Sequence, residues 1–273
     1  MTNDTLWETI RDEAAEAARQ EPTLASFLNQ IILNHDNLES ALAHALAEFL
    51  GNKVVSSAQL LEVFGPVFEQ SASGEQSSNN TDANRAASAM RKDLLAYYER
   101  DPACDKYSMP LLYFKGFHAL QVYRVAHYLW GEGRHSLAMY LQNQSSERFG
   151  VDIHPAAKIG AGVMIDHATG LVIGETAVVG DNVSMLHAVT LGGTGSGCGD
   201  RHPKIGSGVL IAAGAKILGN ITVGEGAKIG AGSLVLEPVP PHITVAGVPA
   251  KPVGVPKERS PALSMNQQLG NGS

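Results

Sequence analysis

Positive charge is the first shortage in this chain. Its 20 Lys and Arg face 27 Asp and Glu, a formal net charge of −7, which argues against nucleic-acid binding by phosphate neutralisation. Cysteine is nearly absent: Cys104 and Cys198 are too few for a disulfide scaffold. No apolar run reaches the ~18 residues that argue for a membrane span. The N-terminus, Met1-Thr-Asn-Asp-Thr-Leu-Trp-Glu8, has neither the basic stretch nor the apolar core of a secretory signal. These absences predict a cytoplasmic protein with neither nucleic acid nor membrane as partner. What is present is 273 residues, 44% of them hydrophobic and 17% charged, which excludes a mostly disordered chain. The 29 glycines are many for an enzyme of this size, and their placement decides the fold.

Residues 1–148 read as an α-helical domain. Between Asp36 and Gly51, Asp36 or Asn37 caps a helix by accepting from its free N–H groups. Leu38, Leu42, Ala45, Leu46 and Phe49 form its apolar stripe, and Gly51 supplies a left-handed exit. A second helix is expected after Ser108-Met-Pro110, carrying Leu112, Phe117, Leu120 and Val125 and ending around Gly131–Gly133. Residues 71–82, serine-rich and without apolar period, read as a flexible connector.

The second half has another period. Aliphatic residues recur at Ile153, Ile159, Ile165, Ile173, Val179, Met185, Leu191, Ile205, Ile211, Ile217, Val223, Ile229 and Val235. The spacing is six except for a step of eight after Ile165 and one of fourteen after Leu191. Glycine often follows (Gly160, Gly174, Gly180, Gly206, Gly224, Gly230), and a small or branched residue stands four places on, as at Ala157, Val163, Ala177 and Val209. Six fits a short strand plus a tight turn, three of which close a triangular coil of eighteen residues. The aliphatic residues then point inward, each contributing roughly 1.5–3 kcal/mol on burial, and glycine serves corners with unusual backbone angles. The fold class expected is α+β: an N-terminal α-helical domain followed by a left-handed parallel β-helix of hexapeptide repeats over 149–255, with 256–273 as a flexible C-terminal tail.

Both interruptions of the period carry polar residues: Asp166-His167-Ala-Thr-Gly170, and Gly193-Thr194 through Asp200-Arg201-His202-Pro-Lys204. A regular solenoid needs no insertions, so these are the functional candidates. Counting units puts His167 and His187 on one face, about one strand spacing (~4.8 Å) apart. The same count puts Asp152 on that face, one coil to the other side, where a carboxylate orients an imidazole. The long loop leaves a different corner of the triangle. In a homotrimer packed side by side, one chain's loop meets the next chain's His167, so the expected site lies between subunits. A histidine beside such a groove serves as general base for an alcohol or amine that attacks an acyl donor, worth ~10²–10⁴-fold. No Gly-x-Ser-x-Gly elbow is present, which favours direct transfer over an acyl-enzyme.

From about Arg100 to Pro256 the chain resembles bacterial serine O-acetyltransferases of the hexapeptide-repeat superfamily. The likeness rests on Asp101-Pro-Ala-Cys-Asp-Lys-Tyr-Ser108, Leu111-Leu-Tyr-Phe-Lys-Gly-Phe-His118, Val151-Asp-Ile-His-Pro155, Asp166-His-Ala-Thr-Gly170, Val189-Thr-Leu-Gly-Gly-Thr194, Gly199-Asp-Arg-His-Pro203 and Ala246-Gly-Val-Pro-Ala-Lys251. The resemblance implies acetyl transfer from acetyl-CoA to the L-serine hydroxyl, the first step from serine to cysteine. It implies His167 as base and Asp152 as its orienter. It sets the serine ammonium against Asp101 and Asp166, and the carboxylate against Arg201 and His202. It implies acetyl-CoA contacts from Gly193, Thr194, Ala213, Gly214, Lys228 and Lys251, and no metal. L-cysteine is the implied feedback inhibitor, and a homohexamer of two trimers joined through the N-terminal helices the implied assembly. Longer family members end in isoleucine and dock that tail into O-acetylserine sulfhydrylase. This chain ends Gly-Asn-Gly-Ser273, so either that complex is absent or weak or the chain is truncated.

Three rival readings stay open at this point. One is acetyl transfer to a sugar or another small hydroxyl acceptor. The second is a zinc lyase of the γ-carbonic-anhydrase type, with His154 or His202 joining His167 and His187. The third is a non-catalytic scaffold. His187 either lines the groove or touches substrate. His118 and His127 read as packing histidines.

Overall fold

The computed structural model of the chain describes residues 4–69, 81–195, 197 and 199–269. Its first half is helical: α1 (Thr5–Gln20), α2 (Ala25–Leu28), α3 (Leu38–Leu50), α4 (Ser57–Glu69), α5 (Thr81–Arg100), α6 (Ser108–Tyr113), α7 (Lys115–Gly131) and α8 (His135–Phe149). Asn37 is the α3 cap, its Oδ1 accepting from Ser40 N at 2.8 Å. Leu38, Leu42, Ala45 and Leu46 are fully buried on the expected stripe. Gly51 is not left-handed, with φ −58°. Its glycine serves close packing instead, because a Cβ there would stand 2.8 Å from Ser57 N. The helix expected from Ser108 to about Gly131 is two, broken at the extended Phe114. Up to residue 80 the expected connector lies outside the described residues; Thr81 already belongs to α5.

Three short strands make each turn of the second half. The first turn has β1 (Val151–Ile153), β2 (Lys158–Ile159) and β3 (Met164–Ile165); the second β4 (Leu171–Ile173), β5 (Val178–Val179) and β6 (Ser184–Met185). The third has β7 (Thr190–Gly192), β8 (Lys204–Ile205) and β9 (Leu210–Ile211); the fourth β10 (Lys216–Leu218), β11 (Thr222–Val223) and β12 (Lys228–Ile229). β13 (Leu234–Val235) opens a fifth, and β14 (Thr244–Gly247) pairs antiparallel with β15 (Ala250–Gly254). Strands stack into three sheets, in the orders β1-β4-β7-β10-β13, β11-β8-β5-β2 and β15-β14-β12-β9-β6-β3. All thirteen periodic aliphatics lie on these strands and align in register, as Ile153, Ile173, Leu191, Ile217 and Val235 do in the first sheet. Twelve are buried and Ile159 is half-buried. The parallel β-helix of hexapeptide repeats is therefore present as expected.

The glycines directly after the aliphatics do not have the unusual angles expected of them. The positive-φ positions fall two residues later, at Gly162, Gly208, Gly226 and Gly232. Gly160, Gly180, Gly206 and Gly224 are needed for contact between coils: a Cβ at Gly206 would stand 2.6 Å from Glu225 N.

Helices α5 and α7 carry the first coil. The fully buried Asp93 accepts from Arg124 Nε at 2.7 Å, Gln121 Nε2 at 3.0 Å and Val163 N at 2.9 Å. Arg124 donates on to the Gly160 carbonyl at 2.8 Å. Residues 256–269 are not a free tail. They fold back along the third sheet through α9 (Pro261–Ser264), where Ala262 N donates to Gly208 O at 3.2 Å and Ser184 Oγ to Ala262 O at 2.9 Å. Among the described residues no helix is long and apolar enough to cross a membrane.

Candidate active site

The corner between the third and first sheets stacks Asp166-His167-Ala168, then His187-Ala188, then Ala213-Gly214. Backbone bonds join its layers: Ala188 N to Thr169 O at 2.8 Å and Gly214 N to His187 O at 2.9 Å. The His167 and His187 rings meet edge to face with centroids 6.0 Å apart, as the unit count requires. His167 (φ 56°) and Ala168 (φ 58°) are consecutive left-handed non-glycine residues, a costly arrangement that surrounding structure must hold. The His167 side chain is 76% exposed, with Asp166 Oδ1 3.8 Å from its Nε2. Burial pushes the Asp166 carboxyl up, the His167 imidazole pulls it down, and the negative Asp101 adds to the upward push. Asp101, after α5, turns its own Oδ1 to Ala103 N at 2.9 Å. This corner thus gathers two acids beside an exposed imidazole.

Arg201 and His202 stand at the next corner, between the first and second sheets. Arg201 NH2 lies 2.7 Å from Glu175 Oε2, and that contact holds the Glu175 carboxyl below the usual range. The backbone N–H groups of Arg201 and His202 both donate to Thr176 Oγ1, at 3.0 and 3.1 Å. His202 is buried, its Nδ1 2.8 Å from the same hydroxyl, and burial lowers its pKa. Gly193 packs against Arg201, and Thr194 faces Gly219 one coil on. Glu175 and Thr176 were absent from the candidates, yet their signal was available: Ile173 and Leu191 are eighteen residues apart in register, so 174–176 must lie beneath the loop.

Other candidates are placed differently from expectation. Asp152 is the middle residue of β1, opposite Val172, and accepts from Gln142 Nε2 at 2.6 Å; the count assigned it to the end of one unit. Among the described residues no hydrogen bond or ion pair joins it to His167. Lys228 is buried on β12, where its Nζ donates to Gln268 O at 2.6 Å and burial lowers its pKa. Lys251 is exposed on β15. His118 and His127 are packing histidines, satisfied by the carbonyls of Leu111 (2.8 Å) and Pro155 (2.7 Å). Cys198 lies outside the described residues. Among the described residues no group of three His, Cys, Asp or Glu is placed to hold a metal.

Two family models match the chain: "Serine acetyltransferase, N-terminal" over residues 6–122 and "Bacterial transferase hexapeptide (six repeats)" over 202–237. The serine acetyltransferase of Salmonella typhimurium is 55% identical over 97% of this chain and 92% of its own. The chain belongs to the serine acetyltransferase family. Serine acetyltransferase 2 of Arabidopsis thaliana is 54% identical over 96% of this chain and 78% of its own. The serine acetyltransferase structure from Vibrio cholerae superposes with a TM-score of 0.90 at 56% identity, covering 97% and 98% of the two chains. Serine acetyltransferase structures have also been solved with coenzyme A (Brucella abortus, TM-score 0.86, 53% identity, 92% and 96% covered) and with serine (Neisseria gonorrhoeae, 0.83, 55%, 90% and 97%). Another was solved with cysteine (0.88, 53%, 97% and 98%). This serine acetyltransferase is accordingly an acetyl-CoA-dependent acyltransferase. Acetyl transfer to a sugar, zinc lyase chemistry and a non-catalytic scaffold are set aside as its function.

Proposed function

We propose that acetyl transfer to L-serine proceeds here by direct attack, with His167 as general base, in a site completed by a neighbouring subunit of a homotrimer. His167 removes the serine hydroxyl proton as the oxygen attacks the thioester carbonyl carbon. The carbon–sulfur bond then breaks, and the imidazolium returns the proton to the sulfur, leaving O-acetylserine and CoA. Asp101 and Asp166 bind the ammonium. Arg201 and His202 of the next chain, held by their Glu175 and Thr176, bind the carboxylate, a group whose geometry suits a guanidinium. L-Cysteine carries the same ammonium and carboxylate and competes there. Asp152 is assigned as the orienting carboxylate on family resemblance alone.

Coenzyme A has been solved on one relative; here Ala213 and Gly214 below His187, Gly193 and Thr194 on the facing corner, and Lys251 are its proposed contacts. Lys228 joins them only when Gln268 releases its ammonium. The helical residues 1–148 are assigned to joining trimers into a hexamer, and residues 149–255 to catalysis.

One observation carries this reading: His167, exposed and backbone-strained, stands beside Asp166, whose carboxyl feels the charge of Asp101, at one edge of the first sheet, and Arg201 and His202 lie at the other edge. The test is CoA release from acetyl-CoA with L-serine. His167→Ala is expected to lower kcat by at least about 100-fold. Release that the substitution leaves unchanged would sink the assignment.

A further inference from the structure

In a stack of parallel coils, an interior strand finds neighbours on both sides. β3 is the outermost strand of the third sheet and has only β6. Toward β6 it uses Met164 N, which donates to Val183 O at 3.0 Å, and Asp166 N, which donates to Met185 O at 2.8 Å. The N–H and carbonyl of Ile165 lie between these and face away, where no coil precedes. Leaving both buried without partners is costly. Tyr97 of α5 takes both. Its hydroxyl donates to Ile165 O and accepts from Ile165 N, each at 3.0 Å.

The arrangement around this hydroxyl is specific. Tyr97 is 2% exposed, and Phe114 and Phe117 hold its ring at centroid distances of 5.8 and 6.0 Å. Burial pushes its phenol well above the usual range, so the proton stays on to be donated. Gly116 leaves the space, since a Cβ there would stand 2.0 Å from Ile165 O and 3.0 Å from the Tyr97 oxygen. One hydroxyl therefore replaces the missing coil, one residue before Asp166 and two before His167.

We propose that Tyr97 is a positioning residue for acetyl transfer: by clamping Ile165 it fixes the edge strand from which Asp166 and His167 project. The two left-handed residues, His167 and Ala168, need restraint on both sides. Downstream, Thr169 N donates to His167 O at 2.7 Å and Gly170 N to Gly150 O at 2.7 Å. Upstream, the restraint is the Asp166–Met185 bond and the Tyr97 clamp. Without the clamp β3 keeps a partner on one side only, and the imidazole loses its fixed distance to the acceptor hydroxyl. Small misplacements of a catalytic group are expensive in rate.

This inference rests on His167 being the base, and the experiment separates the two. Full-length Tyr97→Phe is assayed well below its measured melting temperature. Its kcat is expected to fall about tenfold with KM for acetyl-CoA unchanged. In a His167→Ala background the same substitution is expected to add no further loss in kcat, because its effect on the chemical step runs through that imidazole, whereas any effect through Asp166 appears in KM for serine. Tyr97→p-aminophenylalanine, which returns a donor to the Ile165 carbonyl, is expected to recover most of the rate, and it serves alone if the Phe variant does not fold. An unchanged kcat in Tyr97→Phe, or a loss that multiplies with His167→Ala, overturns the positioning role. A His167→Ala enzyme with wild-type kcat overturns the base assignment and this inference together; an inactive His167→Ala beside an unaltered Tyr97→Phe overturns this inference alone.

Discussion

Glu175 holds Arg201 by an ion pair, and Thr176 holds the backbone that bears it. If Arg201 binds the serine carboxylate, removing the Glu175 charge frees the guanidinium to wander without touching the base. Glu175→Gln is therefore expected to raise KM for serine about 3–10-fold while kcat stays within about twofold; initial rates against serine concentration check this, and an unchanged KM would show that Arg201 needs no such tether. A second titratable group, His118, lies outside the proposed site. Burial among Phe49, Phe117 and Phe149 pushes His118 down to about 4 while its Nε2–H serves Leu111 O. The unfolded chain binds a proton there from the ordinary value of about 6.5 downward. Its contribution to stability is thus complete above that value and is lost as pH falls toward 4, about 3 kcal/mol in all. Melting curves from pH 7 to 4.5 are expected to be flatter for His118→Gln than for wild type. At this scale the proposed base and carboxylate ligands His167, Asp166, Arg201 and His202 stood out because polar residues broke a repeat, whereas Tyr97 did not. Its partner Ile165 is 68 residues away, and nothing in Leu-Leu-Ala-Tyr-Tyr-Glu distinguishes a clamp from a core aromatic.

The strand–turn unit was legible because its period is carried by burial: every sixth side chain faces the interior, and little else satisfies thirteen such positions. The reason for the glycine that often follows was not legible, because stacking distance is a property of two coils and a repeat displays one. That reason gives a contrast. At Gly206 a Cβ would meet the backbone nitrogen of Glu225 at 2.6 Å, whereas at Gly131 nothing lies within 4 Å. Gly206→Ala must push coils apart and is expected to cost about 1–3 kcal/mol, lowering the melting temperature by about 2–4 °C per kcal/mol. Gly131→Ala, at the end of α7, is expected to be neutral or stabilising by up to about 1 kcal/mol. Thermal unfolding of the two variants checks both, and equal shifts would remove the stacking explanation. The break between α6 and α7 escaped for the same reason: Pro110, Leu111, Leu112 and Phe117 are all buried, so hydrophobicity runs on, while the turn between is set by the need to seat Gly116 against Ile165.

At the scale of the whole molecule, the two halves of the proposed site flank one sheet. His167, Asp166 and Asp101 lie at the corner entering the first sheet, and Arg201 and His202 at the corner leaving it. Among the described residues no hydrogen bond or ion pair joins Arg201 or His202 to the first group. In the proposed homotrimer, three such prisms around an axis would bring one chain's entering corner against the next chain's leaving corner, so each site would take its base from one subunit and its carboxylate ligands from another. This arrangement has an arithmetic consequence. His167→Ala and Arg201→Ala are each expected to be nearly inactive alone, since every site in either trimer lacks one partner. Co-expressed and mixed at random, a site is intact only when its base comes from an Arg201→Ala chain and its guanidinium from a His167→Ala chain. Each condition holds half the time, so about one quarter of wild-type activity is expected to return. The measurement is serine-dependent CoA release by the co-purified mixture, with the two variants purified separately and then combined without subunit exchange as the control. Activity in the co-expressed sample and none in the control requires a site shared between chains. No recovery in either would confine the base and the carboxylate ligands to a single subunit and break the argument from the corners.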